Sequence, residues 1–182
     1  MDNGESSYRR YLEGDEAAFD EVVKTLFDKL VFFIERYVGD YHVAEDIAID
    51  SFVELMKHKT RYDFRVSLKT YVFMIGRCRA LNYLKHQKRR AAVPLGELEA
   101  TLADERVSDA FLKRERDRLL HEAIADLPED MRAAIHLTYF EGLTYDEVAR
   151  VMKKNKKQVD NLLYRAKTML RHTLEKEEVL TL

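Results

Sequence analysis

Two helix starts lie close together near the C-terminal end, and the residues after the second have the chemistry to read a polyanion. Thr144-Tyr145-Asp146-Glu147 has the form of a capping box, in which hydroxyl and carboxylate satisfy each other's orphan amides. It predicts a short helix to about Met152. Lys153-Lys154-Asn155 then reads as a turn, with Asn155 and Gln158 capping a longer basic helix. These are the proportions of a helix-turn-helix, whose second helix enters the major groove with its first turn aimed at base edges. Lys156, Lys157, Asp160 and Asn161 would face outward there, with Gln158 flanking. Lysine suits guanine O6 and N7, asparagine and glutamine suit adenine, and aspartate accepts from cytosine. Lys153 and Lys154 fall where the turn would cross phosphates, and Arg165, Lys167 and Arg171 extend the positive face. The competing reading is an antiparallel helix hairpin with a solvated basic surface. Two caps in place, with the charge on the same element, favour the first.

A second constellation joins aromatic rings to cations. Tyr62, Asp63, Phe64 and Arg65 are followed by Lys69, Thr70 and Tyr71 and then by a helix rich in base. Rings beside cations can stack on unpaired bases while neutralising the backbone. Stacking at about 1–3 kcal/mol per base can offset the cost of extruding one. Phe64 and Tyr71 are equally suited to closing a small core. A third group, Glu45, Asp46, Asp50 and Glu54, recurs at helical spacing and could meet a basic partner, or could be a solvated face. Carboxylates so spaced also suggest a bundle metal site, but the Glu-x-x-His tetrapeptide such sites use is absent. The six histidines accompany no GxSxG, HExxH or phosphate-cradling glycine loop, so no catalytic residue is expected. Cys78, between Arg77 and Arg79, reads as a helix residue without catalytic consequence. No metal and no cofactor are expected.

The elements that must carry these groups are helical. The chain has 182 residues, 46% of them hydrophobic, with only two prolines and six glycines. That excludes wholesale disorder and disfavours a turn-rich sandwich. The predicted class is all-α, with two small helical domains joined by a linker. Charges throughout the first twenty residues and the lack of a long apolar run predict neither a signal peptide nor membrane insertion, hence a cytoplasmic protein.

Asp15 is a candidate cap for a helix with Phe19, Val22, Val23, Leu26, Phe27, Leu30, Phe33 and Ile34 on one face, stopping at Gly39. A second helix, from about Val43 to His58, buries Ile47, Phe52, Val53 and Met56. Lys59 to Val66 reads as a loop. Ser67 caps a third helix to about Arg90, with Leu68, Val72, Ile75, Leu81 and Leu84 inward and Gly76 costing it about 1 kcal/mol. Residues 1–90 then form one domain and 91–107, with Pro94 and Gly96, a linker. Residues 108–182 form the second domain. Ser108 opens a helix to about Asp126, and Pro128 takes the first position of the next, which ends near Gly142.

The net charge of −2 hides two basic blocks. From Lys69 to Arg90 there are seven bases and no acid, and from Arg150 to His172 eight bases stand against Asp160 alone. Acidic residues fill the stretch between, so the chain looks like two footprints on one polyanion.

With these residues in order, the chain resembles the extracytoplasmic-function group of bacterial sigma factors. Gly14-Asp15-Glu16-Ala17-Ala18-Phe19 resembles the group's opening. Val43-Ala44-Glu45-Asp46-Ile47 followed by Asp50-Ser51-Phe52 is similar to its polymerase-binding helix. Thr70-Tyr71 through Ile75, then Arg77-Cys78-Arg79-Ala80-Leu81-Asn82-Tyr83-Leu84, is similar to its melting and minus-ten helix. Leu127-Pro128, Tyr139 through Ala149 and Tyr164-Arg165-Ala166-Lys167 resemble its minus-thirty-five domain. The resemblance implies that Asp46, Ile49, Asp50 and Glu54 bind core RNA polymerase. It implies that Tyr62, Phe64, Arg65, Lys69, Tyr71, Arg77, Arg79 and Asn82 handle the minus-ten element. Lys153, Lys154, Lys156, Lys157, Gln158, Asp160, Asn161 and Arg165 would then bind the minus-thirty-five duplex. The implied partners are core polymerase, promoter DNA and a cognate anti-sigma factor. Read from the residues alone, a free-standing dimeric helix-turn-helix regulator is the alternative. Such a regulator leaves the uninterrupted basic helix of the N-terminal half unexplained, and a bundle enzyme lacks any constellation to work with.

Overall fold

The computed structural model describes residues 4–91 and 119–180, and every regular element in them is helical. A helix that gave no signal in the sequence comes first: α1 (Glu5–Leu12), which buries Tyr8. It is followed by α2 (Ala17–Val38), whose stripe of Val22, Leu26, Leu30, Phe33 and Ile34 is buried as its spacing predicts. Asp15 does not cap α2 with its side chain, which instead lies 3.5 Å from Arg10 while its carbonyl accepts from Ala18. Gly39 ends α2 at φ 71°, a left-handed stop that favours glycine.

Asp40 Oδ1 accepts from the Val43 amide and starts α3 (Tyr41–Lys57) two residues earlier than expected. Ile47 and Phe52 are buried as predicted, but Met56 is exposed, on the same side of α3 as Ile49. A 3-10 turn (Lys59–Arg61) leads into the aromatic loop. There Ser67 Oγ accepts from the Thr70 amide and opens α4 (Leu68–Ala91). Gly76 lies where α4 crosses α2, and a Cβ there would sit 2.7 Å from Leu30 Cδ1 and 3.2 Å from Ile34 Cδ1. The glycine permits close helix packing that outweighs its poor helix propensity.

Beyond Ala91, the expected linker to residue 107, and Ser108 with the start of its helix, lie outside the described residues. Residues 119–125 are helical. Pro128 then occupies the cap position, one residue before its expected place, and α5 spans Glu129–Ile135. The chain continues in a π-helical turn, His136–Phe140, closed by the Glu141 amide bonding the His136 carbonyl at 3.1 Å. Two more helices follow, α6 (Tyr145–Met152) and α7 (Lys156–Leu180). The two helical units pack on each other. α6 lies along α4 and α5 approaches α2, so that one buried cluster runs from Phe33 and Phe73 to Leu137, Val148 and Leu163.

Candidate nucleic-acid interface

Both predicted caps of the helix-turn-helix form. The Glu147 amide donates to Thr144 Oγ1 at 3.3 Å, and the Thr144 amide donates to Glu147 Oε2 at 2.9 Å. The turn bends through Lys153 at φ 53°, a strained conformation for a residue with a Cβ. Asn155 and Gln158 then cap each other's backbone, with two bonds of 2.9 Å. Gln158 Oε1 is thereby engaged at the helix start, while the side chain as a whole stays exposed. Lys156 is drawn back to Asp146, with Nζ 3.0 Å from Oδ2.

Val159, Leu163 and Ala166 are buried against α5 and α6, which turns the opposite face of α7 outward. Lys157, Asp160, Asn161, Tyr164 and Arg165 share that face, and all are exposed. Tyr164, at 73% exposure, is an open aromatic ring on that face and was not named as a DNA-contacting residue from the sequence. Its spacing of three and four from Asn161 and Asp160 was the available signal. Lys154 is half-buried, 2.9 Å from Asp130, and Lys153 stays exposed.

The N-terminal constellation is more buried than its composition suggests. Tyr62 is a core residue: its hydroxyl donates to the Val66 carbonyl at 2.7 Å, and burial pushes its pKa up. An exposed stacking ring at this position is not what the fold supplies. Phe64, at φ 61°, packs 4.5 Å from the Tyr62 ring and beneath the Arg9 guanidinium, 3.9 Å from the ring centroid. Arg9, on the unforeseen α1, is therefore a neighbour of this loop that sequence reasoning missed. Arg65 is exposed beside Asp63 at 3.2 Å, and Tyr71 is half-buried, 5.2 Å from Tyr62.

Along α4, Lys69 and Arg77 are buried, contrary to the expectation of an open basic face. Lys69 Nζ donates to the Glu141 carbonyl at 2.7 Å and lies 2.7 Å from that residue's Oε2. Arg77 donates to the Tyr37 hydroxyl at 3.1 Å and reaches Asp130 at 3.6 Å. Arg79 binds Asp50 and Glu54 on α3, and Asn82 is exposed. On α3 itself, Asp46, Ile49 and Asp50 are exposed and Glu54 is half-buried.

Between the two units lies a charged seam. Burial pushes the His136 imidazole pKa down, and Arg36 and Lys69 act in the same sense against Glu141. His136 Nε2 lies 3.3 Å from Glu141 Oε1. Burial would raise the Glu141 pKa, but hydrogen bonds from His136 and Lys69 prevail and hold it below the ordinary carboxylate range. Glu147 Oε1 accepts from the hydroxyls of Ser67 at 3.0 Å and Thr70 at 2.9 Å, so one carboxylate serves the starts of both α6 and α4. Among the described residues no group of three His, Cys, Asp or Glu could hold a metal ion, and no helix is long and apolar enough to cross a membrane.

Two family models match in succession, sigma-70 region 2 over residues 22–90 and sigma-70 region 4 over residues 117–170. Together they cover well over half of the chain. The chain belongs to the extracytoplasmic-function group of sigma factors.

Curated relatives of this sigma factor match it over most of their length. It is 29% identical over 175 residues to the RNA polymerase sigma-H factor of Pseudomonas aeruginosa, covering 91% of each chain. It is 28% identical over 169 residues to the ECF RNA polymerase sigma-E factor of Escherichia coli, covering 87% of each. Solved structures share the fold. Sigma factor RpoE of Bartonella quintana, in complex with the anti-sigma factor NepR, superposes with a TM-score of 0.67 at 19% identity over 86% of this chain and 96% of that one. CnrH in complex with the cytosolic domain of CnrY gives 0.67 at 20% identity, over 97% and 99%. The sigma factor thus acts in promoter-specific transcription initiation, within a family of non-catalytic initiation factors that bind core RNA polymerase and promoter DNA.

Proposed function

We propose that α7 reads the minus-thirty-five duplex while α4 and the loop before it capture the minus-ten element, with α3 docked on core polymerase. The observation that carries this reading is the exposed face of α7, where Lys157, Asp160, Asn161, Tyr164 and Arg165 stand together beyond two formed caps. A donor, an acceptor, an amide, a ring and a guanidinium on one helix face make a base-reading set rather than a merely cationic one. Arg65 and Asn82 remain open to solvent at the N-terminal site and Tyr71 is half-buried, with Phe64 held beside them under Arg9. On α3 the exposed Asp46, Ile49 and Asp50 combine an apolar contact with flanking charge, as a protein-binding surface requires.

The protein then works in the cytoplasm alongside polymerase, supplies no chemistry of its own and needs no cofactor. The complex of the sigma factor RpoE with the anti-sigma factor NepR, and that of CnrH with the cytosolic domain of CnrY, support an anti-sigma factor as a further partner. Run-off transcription by core polymerase with this chain, on sheared DNA of its host, tests the proposal. Transcripts with shared upstream elements are expected, and a polymerase that starts nowhere with the chain added overturns it.

A further inference from the structure

Helix α1 is tied to the aromatic loop at three points. The Tyr8 hydroxyl donates to the Lys59 carbonyl at 3.2 Å, and the Tyr62 hydroxyl lies 3.5 Å from Glu5 Oε2. At the third, the Arg9 guanidinium carbon stands 3.9 Å from the centroid of the Phe64 ring. That is well inside the range over which a ring face holds a cation. Phe64 itself is kept at φ 61°, a left-handed backbone that is costly for a residue with a Cβ. Its ring touches Tyr62, with centroids 4.5 Å apart, as well as Arg9. Tyr62 is fixed in the core. Arg9 has 55% of its side chain exposed and one carboxylate partner among the described residues, Glu5 at 2.9 Å. Of the two groups against Phe64, Arg9 is therefore the one free to move.

We propose that Arg9 is a base-binding residue, covering Phe64 in the free chain and withdrawing to cap the far face of an unpaired minus-ten base that enters between them. This rests on the assignment of the aromatic loop to the minus-ten element made above.

The chemistry favours insertion over eviction. A base that drove Arg9 off would gain a ring face but discard the cation already held there. A base that slides between keeps a stacking contact on each side. A guanidinium suits the outer position because it is planar, weakly hydrated and able to lie on a π face. Its charge also meets the phosphate beside an extruded nucleotide. An ammonium would bring the charge without the plane. The Glu5 pair is one turn apart on α1 and solvent-exposed, weak enough to be exchanged for a phosphate. Arg61 and Arg65 are exposed on either side of Phe64 in the chain, so the strand's backbone has further charge to follow. Every base has a π face, so Arg9 adds affinity without choosing the base.

The test uses holoenzyme made with the wild-type chain, Arg9→Ala or Arg9→Lys, and fluorescence anisotropy with labelled fork-junction promoters. Each minus-ten nucleotide of the unpaired strand is made abasic in turn, and the captured base is the one whose loss weakens the wild type most. On intact DNA Arg9→Ala is expected to bind roughly tenfold more weakly and Arg9→Lys roughly threefold, with melting temperatures unchanged. With the captured base removed, all three proteins should bind alike. Equal weakening by Arg9→Ala on intact and abasic DNA would assign Arg9 to phosphate or to the packing of α1, and overturns the proposal. Tighter binding by Arg9→Ala would make Arg9 a mere cover on the ring, and overturns it too. An abasic position that weakens the wild type, with no effect of Arg9→Ala on intact DNA, leaves base capture standing and sinks Arg9 alone. Where no abasic position weakens the wild type, the loop captures no base and both readings fall.

Discussion

Arg79 on α4 grips Glu54 on α3, with Nε and one terminal nitrogen each 2.9 Å from the same carboxylate oxygen. Its other terminal nitrogen lies 3.1 Å from Asp50. The arginine proposed for DNA is thus paired with two acids proposed for polymerase, and an ion-pair network links the two surfaces.

The roles of the α3 acids separate by substitution. Asp46→Lys changes an exposed acid outside the Arg79 contact, and it should weaken binding of core polymerase by roughly tenfold or more with the melting temperature unchanged. Glu54→Ala should cost about 0.5 kcal/mol of stability, a small amount because the pair is one-third exposed. It should also free Arg79. Pull-down with polymerase and urea unfolding measure the two effects, and a normal pull-down by Asp46→Lys would remove that residue from the polymerase surface.

Gly76→Ala should destabilise the protein although alanine is the better helix former. Propensity alone predicts a gain of about 1 kcal/mol. The new methyl, however, meets Leu30 and Ile34, both fully buried, and overpacking costs typically about 1–3 kcal/mol. The net expectation is a loss of about 1 kcal/mol, read from the shift in urea midpoint, and a stabilised variant would show that α2 can yield.

The turn of the helix-turn-helix permits three distinguishable outcomes. Lys153→Gly relieves a left-handed backbone and should raise stability by about 1 kcal/mol, while removing one phosphate contact and flattening the salt slope by about one unit. Gln158→Ala should cost about 1 kcal/mol through loss of the reciprocal cap, with promoter preference unaltered. Lys157→Ala should weaken binding at particular minus-thirty-five sequences only, by about 1–3 kcal/mol. Urea unfolding reads the two stability changes, and titrations of holoenzyme on promoter variants check the binding effects of all three. A uniform effect of Lys157→Ala across sequences would mean that it meets phosphate.

These outcomes follow where the sequence was legible and where it was not. Caps and stripes are local, so Thr144 with Glu147, Asn155 with Gln158, the Gly39 stop and the buried face of α2 were all readable from spacing. Burial of Lys69, Arg77 and Tyr62 was not, because each depends on residues distant in the chain. Lys69 and Arg77 are covered by Glu141 and Asp130 of the other unit, and a count of charge along one helix cannot show which neighbour cancels it. Helix α1 went unseen because a single buried ring, Tyr8, in eight residues leaves no period to detect. Met56 was misplaced for the opposite reason. It fits the period of α3 but falls on the face that the bundle leaves uncovered.

The seam also sets a pH dependence whose sign is fixed by its two ionisable partners. His136 faces Phe33 and Arg36 from α2, Lys69 from α4, and Phe140 and Glu141 from its own segment. Its pKa is lowered on folding, chiefly by burial, so the proton favours the unfolded chain. The stability that follows from a neutral ring is complete above about pH 6.5 and is lost as the pH falls below that value toward the pKa of the buried ring. Glu141, also held below its ordinary value, contributes stability that is complete above about pH 4.3 and is lost as the pH falls through its folded pKa. The wild-type melting temperature should therefore begin to fall between about pH 6.5 and about pH 5, well before the carboxylates titrate. His136→Phe keeps an aromatic ring against Phe33 and Phe140 but has no proton to gain. Its melting temperature should hold level across that window and drop only in stronger acid. Parallel curves for the two proteins would show that the imidazole charges without cost, and hence that water already reaches the seam.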